Sequence, residues 1–213
     1  MNHPQTIVND SLDIDAAEGI DNLQLNNLGL VSIDGVQFFS DLTFLNCDSN
    51  QLSTLPILPE QVISFWCKHN QITALPELPE SLTLLWCSDN QISALPTLPV
   101  GLINLGCENN LLTSLPNLPA GLSVFYCDNN QLTSLPVLPD ELLYFSCNYN
   151  LINTLPELPD GLINFFCSYN QLTSLPELPS GLIELWCFNN HISSLPSFPD
   201  NLSDFRCFSN QIS

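Results

Sequence analysis

Gly161-Leu162-Ile163-Asn164-Phe165-Phe166-Cys167-Ser168-Tyr169-Asn170 runs directly into Gln171-Leu172-Thr173-Ser174-Leu175-Pro176-Glu177-Leu178-Pro179-Ser180. This 20-residue pattern recurs along most of the chain. Cys stands at 47, 67, 87, 107, 127, 147, 167, 187 and 207. Asn keeps the same interval from Asn50 to Asn210. Two Pro columns, 56 to 196 and 59 to 199, together with Pro4 account for all 17 prolines. A fixed period of this length signals a solenoid, in which stacked coils bury one another's apolar side. Eight full repeats occupy 41–200, and a ninth runs to Ser213.

Within a coil, Phe165-Phe166-Cys167 predicts a strand, whose alternate side chains take opposite faces. Phe165 and Cys167 then point inward, while Asn164, Phe166 and Ser168 point outward. Asn170 falls where the strand ends; its amide is expected to bond the backbone of its own turn and of the next coil. Pro fixes φ and removes a donor, so the L-P-x-L-P return is not helical. In a polyproline II conformation, with three residues per turn, Leu175 and Leu178 share one inward face. So thin a return segment leaves the solenoid flatter than helices would. The expected architecture is a repeat solenoid with one long parallel β-sheet, the return segments lying extended on the opposite side.

The half-repeat L-x-x-L-x-C-x-x-N-x-L resembles the conserved segment of leucine-rich repeats, with Cys at the third apolar position. The L-P-x-L-P half resembles the short bacterial type. That likeness covers 41–213. Residues 22–40, with Leu23, Leu25, Asn27 and Leu28, resemble an irregular first coil of secreted or surface bacterial leucine-rich repeat proteins. The proline half is also similar to that of type III secretion effectors. The resemblance implies a concave β-sheet, a convex return side, and a secreted or cell-surface setting. Residues 1–21, rich in acids, are expected to cap the array.

The composition excludes whole classes of partner. The chain has 2 basic and 22 acidic residues, a formal charge of −20. Phosphate recognition needs Lys and Arg, so nucleic acid is excluded as a partner. No stretch reaches 18 apolar residues, so no insertion into a membrane is expected. Met1 to Asp10 has neither the basic nor the apolar region of a signal peptide. Most acids map to the return segment, such as Glu77, Glu157 and Glu177, or to positions at or before Asp41, and they keep the chain soluble by repulsion.

Catalysis and cofactors find no purchase. Cys67-Lys68-His69 looks like a nucleophile beside a base, but strand alternation turns Cys67 in and Lys68 out. His3 lies in the terminal segment, and His69 and His191 are six coils apart. One Cys per coil cannot bring four ligands together for zinc. Parallel, in-register Cβ vectors do not suit a disulfide. The Cys column therefore reads as small buried hydrophobes. Asn9, Asp13, Asp15 and Glu18 can be laid on a calcium loop, but Ile7 and Leu12 then occupy two of its essential positions. The reading is a non-enzyme with no cofactor and no metal.

The outward columns carry the functional signal. The middle one reads Asn46, Trp66, Trp86, Gly106, Tyr126, Ser146, Phe166, Trp186, Arg206, and holds all three Trp. The column before it includes Tyr144. Adjacent aromatics such as Trp66 and Trp86 could pair across strands and serve only the sheet. Contiguous exposed apolar surface usually marks a contact site, and Trp and Tyr dominate binding hot spots. The candidate partner-binding residues are Trp66, Trp86, Tyr126, Tyr144, Phe166 and Trp186. The leading expectation is a non-catalytic protein-binding module. The alternatives are a glycan-binding adhesin, a structural spacer of a longer surface protein, and an intracellular effector interaction domain. The ninth coil stops at Ile212-Ser213 before its return segment, which raises three further expectations: a longer parent protein, end-to-end self-association, or a frayed last coil.

Overall fold

The structure is a computed structural model that describes residues 7–8, 11–12 and 18–212. A short antiparallel pair, β1 (Ile7–Val8) and β2 (Ser11–Leu12), stands apart from the main sheet. The main sheet has ten parallel strands in sequence order: β3 (Asn22–Gln24), β4 (Phe44–Asn46), β5 (Ser64–Trp66), β6 (Leu84–Trp86), β7 (Asn104–Gly106), β8 (Val124–Tyr126), β9 (Tyr144–Ser146), β10 (Asn164–Phe166), β11 (Glu184–Trp186) and β12 (Asp204–Arg206). Each pairs in strict register, as Phe165 does with Phe145 and Leu185. The fold is a leucine-rich repeat solenoid, with the sheet on its concave face. Among the described residues the one helical element is a 3₁₀ turn, Val36–Phe38, in the irregular first coil. No described helix is long and apolar enough to cross a membrane. The calcium-loop candidates Asn9, Asp13 and Asp15, the terminal His3, and most of the proposed 1–21 cap lie outside the described residues.

The core is built from repeating columns. Leu162, Phe165, Cys167 and Leu172 are fully buried, and so are their equivalents in the interior coils. Phe145 stacks between Phe125 and Phe165 at 5.5 and 5.4 Å, so these three inward aromatics form a spine through the middle coils. The nine Cys carry free thiols, all buried except the partly exposed Cys207. Several thiols lie 3.4 Å from a carbonyl of the next coil, as Cys107 does from Tyr126. Burial pushes these thiols well up, Cys187 to about 12. Cys67 is therefore a buried core thiol, while His69 is exposed in the turn beyond the end of β5.

Adjacent coils are pinned by the Asn column. Asn170 Nδ2 donates to Cys147 O at 2.9 Å in the preceding coil, not the next one as expected, and to Cys167 O and Ser168 O in its own turn at 3.2 and 3.3 Å. Its Oδ1 accepts from the Ile152 amide at 3.0 Å. The residue before each Asn is left-handed in every coil, from Ser49 (φ 57) to Ser209 (φ 55). That conformation costs a non-glycine residue about 1–2 kcal/mol. It turns the backbone so that the Asn side chain enters the coil.

Asn130→Ala removes bonds to Cys107 O, Cys127 O, Asp128 O and the Leu112 amide, leaving buried groups unpaired. At about 1–3 kcal/mol for an orphaned group, urea unfolding should show a loss of at least about 2 kcal/mol. In the native protein a water-soluble disulfide reagent should titrate Cys207 rapidly, and the other eight thiols only after denaturation.

Candidate functional site

The alternation that buries Phe65, Leu85 and Phe165 leaves Trp66, Trp86, Tyr126, Phe166 and Trp186 half-buried on the concave face. Tyr144, one position earlier on β9, is 39% exposed. The candidate rings thus share one face but form two groups. Trp66 packs on Phe44 at 5.9 Å, and Trp86 stacks on Tyr126 at 6.0 Å with planes 21° apart. Farther along, Phe166 meets Trp186 at 4.7 Å. Between the groups stands Ser146, buried and bonded to Asp128.

Trp86 thus reaches past its neighbouring strand to Tyr126 instead of pairing with Trp66. Gly106 explains why. A Cβ at Gly106 would fall 1.9 Å from Trp86 Cε3, so the indole lies directly over the bare backbone of β7. The same point is 2.9 Å from Glu108 Oε2, and indole and carboxylate therefore converge there. The Ser88 hydroxyl donates to that carboxylate oxygen.

Ser168 departs from the outward expectation. It is only 1% exposed, and its Oγ has no partner among the described residues. Its column neighbours in the adjacent coils, Asn148 and Phe188, both carry longer side chains. The acid map also needs correcting. Asp48, Asp89, Glu108, Asp128, Glu184 and Asp204 lie on the sheet or at its strand-end edge, beside the aromatics. Asp128 Oδ1 accepts from the Asn148 amide at 3.0 Å and from its Nδ2 at 2.7 Å.

The two basic residues lie on this face as well. Lys68 Nζ is 5.0 Å from the Trp66 ring and 3.9 Å from Asp48. Arg206 lays its guanidinium 4.1 Å from the Trp186 ring. Its Nε and Nη2 donate to Asp204 at 3.1 and 2.9 Å, and Trp186 Nε1 donates to the same carboxylate at 3.3 Å. Arg206 holds Asp204 below the usual carboxylate range.

A second aromatic group runs along the strand-end edge. Tyr149 stacks on Tyr169 at 4.0 Å, Tyr169 meets Phe188 edge-on at 5.4 Å, and Phe188 stacks on Phe208 at 4.4 Å. Tyr149 and Phe208 are 49% and 58% exposed. Tyr149 and Tyr169 occupy the left-handed position that other coils give to Asn, Asp, Ser or His. The edge of the first five regular coils carries Asp48, Lys68, Asp89, Glu108 and Asp128, whereas 146–153, 166–173, 186–193 and 206–213 carry no acid and, besides His191, only Arg206 as a base. Phe188 and Phe208 were missed in the sequence because they occupy a column that is polar in every earlier coil.

Burial is the main cause that lifts the carboxyls of Asp48, Glu108 and Asp128 above their ordinary values. A carboxyl raised in the fold contributes stability that is fully present below its unfolded value, about 4. That contribution is lost as pH rises through the folded value. Thermal melts should therefore give a higher Tm at pH 5 than at pH 7, with the net charge relaxing in the same direction.

No protein-family model matches the chain, and no curated protein sequence matches it. Solved structures do. InlJ of Listeria monocytogenes, whose functional domain includes a cysteine ladder, superposes with a TM-score of 0.87 at 27% identity, over 95% of this chain and 47% of that one. YopM of Yersinia enterocolitica WA-314 gives 0.79 at 29%, over 95% and 49%. YopM of Yersinia pestis, a leucine-rich effector protein, gives 0.79 at 31%, over 89% and 61%. The chain spans about half to three-fifths of these proteins' lengths. With its 20-residue period, Asn ladder and Cys column, the chain is a leucine-rich repeat solenoid similar to these bacterial leucine-rich repeat proteins.

Proposed function

We propose that the chain is a non-catalytic protein-binding module that grips its partner on the concave sheet through Trp66, Trp86, Tyr126, Tyr144, Phe166 and Trp186. The carrying observation is that all three Trp of the chain stand in one outward column, each in contact with another aromatic ring. Burial of such rings by a partner supplies most of the energy in typical interfaces. Trp and Tyr also carry polar groups that tolerate water before binding.

Ring stacking favours a protein over a glycan. An extended glycan needs a run of open aromatic faces, whereas Trp86 and Tyr126 each give one face to the other, as do Tyr149 and Tyr169. On the convex side the shallow grooves, such as that between Leu158 and Pro179, are rimmed by Glu157, Asp160 and Glu177 and hold no aromatic ring. The likeness to InlJ and to an effector protein fits a secreted or surface-displayed binding module.

Trp66→Ala combined with Trp86→Ala should abolish partner capture and cost the fold only about 1–2 kcal/mol, because these are cross-strand pairs on the outer face. Phe145→Ala, in the spine, should cost about 3–5 kcal/mol. Denaturant melts and a pull-down with each variant check this, with a glycan array run alongside. Undiminished capture by the double variant, or glycan binding that it abolishes, would reject the reading.

A further inference from the structure

The concave face carries three Trp–carboxylate pairs and only two cations. Trp66 with Asp48 holds Lys68, and Trp186 with Asp204 holds Arg206. Trp86 with Glu108 has the same ingredients, but the chain has no third Lys or Arg to offer it. We propose that Trp86, Tyr126 and Glu108 receive an arginine side chain from a basic segment of the protein partner. This rests on the concave-face reading above and names the chemistry of what that face binds.

Arg206 shows what such a cradle does with a guanidinium. The ion lies against an indole face and bonds a carboxylate through two nitrogens. Guanidinium combines planar stacking with fork-shaped hydrogen bonding, which a lysine ammonium does not. At Trp86 the indole is held over Gly106 and against Tyr126, so its position is set before a partner arrives. Glu108 is bonded by one side-chain hydroxyl, that of Ser88, whereas a carboxylate can accept about four hydrogen bonds. Asp128, by contrast, is already taken up by Ser146 and Asn148. Glu108 is half-buried without a cation, which lifts its carboxyl; an arriving guanidinium would offset that cost. The chain's charge of −20 draws a basic segment toward this surface and repels an acidic one.

A tetra-arginine peptide, with its tetra-citrulline counterpart as the uncharged isostere, tests the assignment. Tryptophan fluorescence is the readout, since every Trp lies on this face. The expected result is a saturable change with tetra-arginine and at least tenfold weaker binding of tetra-citrulline. Glu108→Gln, which can still accept from Ser88, should weaken binding at least tenfold while its Tm at pH 7 stays equal or rises. Trp86→Leu should lose binding to a similar degree, and Glu177→Gln on the convex side should change nothing. Equal binding of the citrulline peptide, or equal losses from Glu108→Gln and Glu177→Gln, would overturn the proposal by leaving only general charge attraction. A partner captured in a Trp66- and Trp86-dependent way that binds Glu108→Gln at full strength would overturn it too, with the concave-face reading left standing.

Discussion

Every coil of this solenoid must solve the same problem: where the strand ends, its buried turn leaves backbone groups that no strand can pair. One carboxamide per coil does so. Asn170 satisfies carbonyls of its own turn and of the coil before it, and takes the amide of Ile152 as well. The left-handed residue ahead of it, Tyr169 in this coil, is the strain that makes the geometry possible. Buried amides left unpaired would cost more than this strain, so the two features persist together in all regular coils. The sheet register follows, because a clamp repeated every 20 residues forbids slippage. The concave columns, and with them the spacing of the aromatic rings, inherit that register.

The inward half of the fold was legible because it is periodic. Phe165, Cys167, Leu172 and Asn170 recur in fixed columns, and strand alternation places each without further information. The outward half was legible only by column. Trp86 could be assigned to a face but not to a partner, since its reach to Tyr126 depends on what Gly106 lacks. The carboxylates of Asp48, Glu108 and Asp128 also escaped, because the column after Cys mixes acids with Lys68, Ser88, Asn148 and Phe188. Its burial depends on neighbours 20 residues away on either side. The left-handed position was hidden for a similar reason: Ser, His, Asp, Asn and Tyr all occupy it, and only the backbone reveals what they share.

The distribution of charge adds a second level of order. The five earlier regular coils place ionised groups at the strand-end edge, and the later ones place stacked rings there. In a chain this acidic, an aromatic strip without acids costs little to desolvate, whereas the carboxylate-bearing half needs compensation when covered. Lys68 and Arg206 provide that compensation at the two ends of the concave column, each on its own indole. One continuous sheet can thereby present surfaces of different chemistry with no change of backbone.

Because every coil adds one strand at about 4.8 Å, separations along the concave face come in whole steps. Trp86 and Trp186 stand five strands apart, roughly 24 Å along the array at that spacing. Duplicating or deleting one complete repeat between them would shift that separation by a single step while leaving both indoles, their carboxylates and the Asn clamp intact. The solenoid is in this sense a graduated ruler, and its length in coils is an adjustable dimension that point substitutions cannot reach.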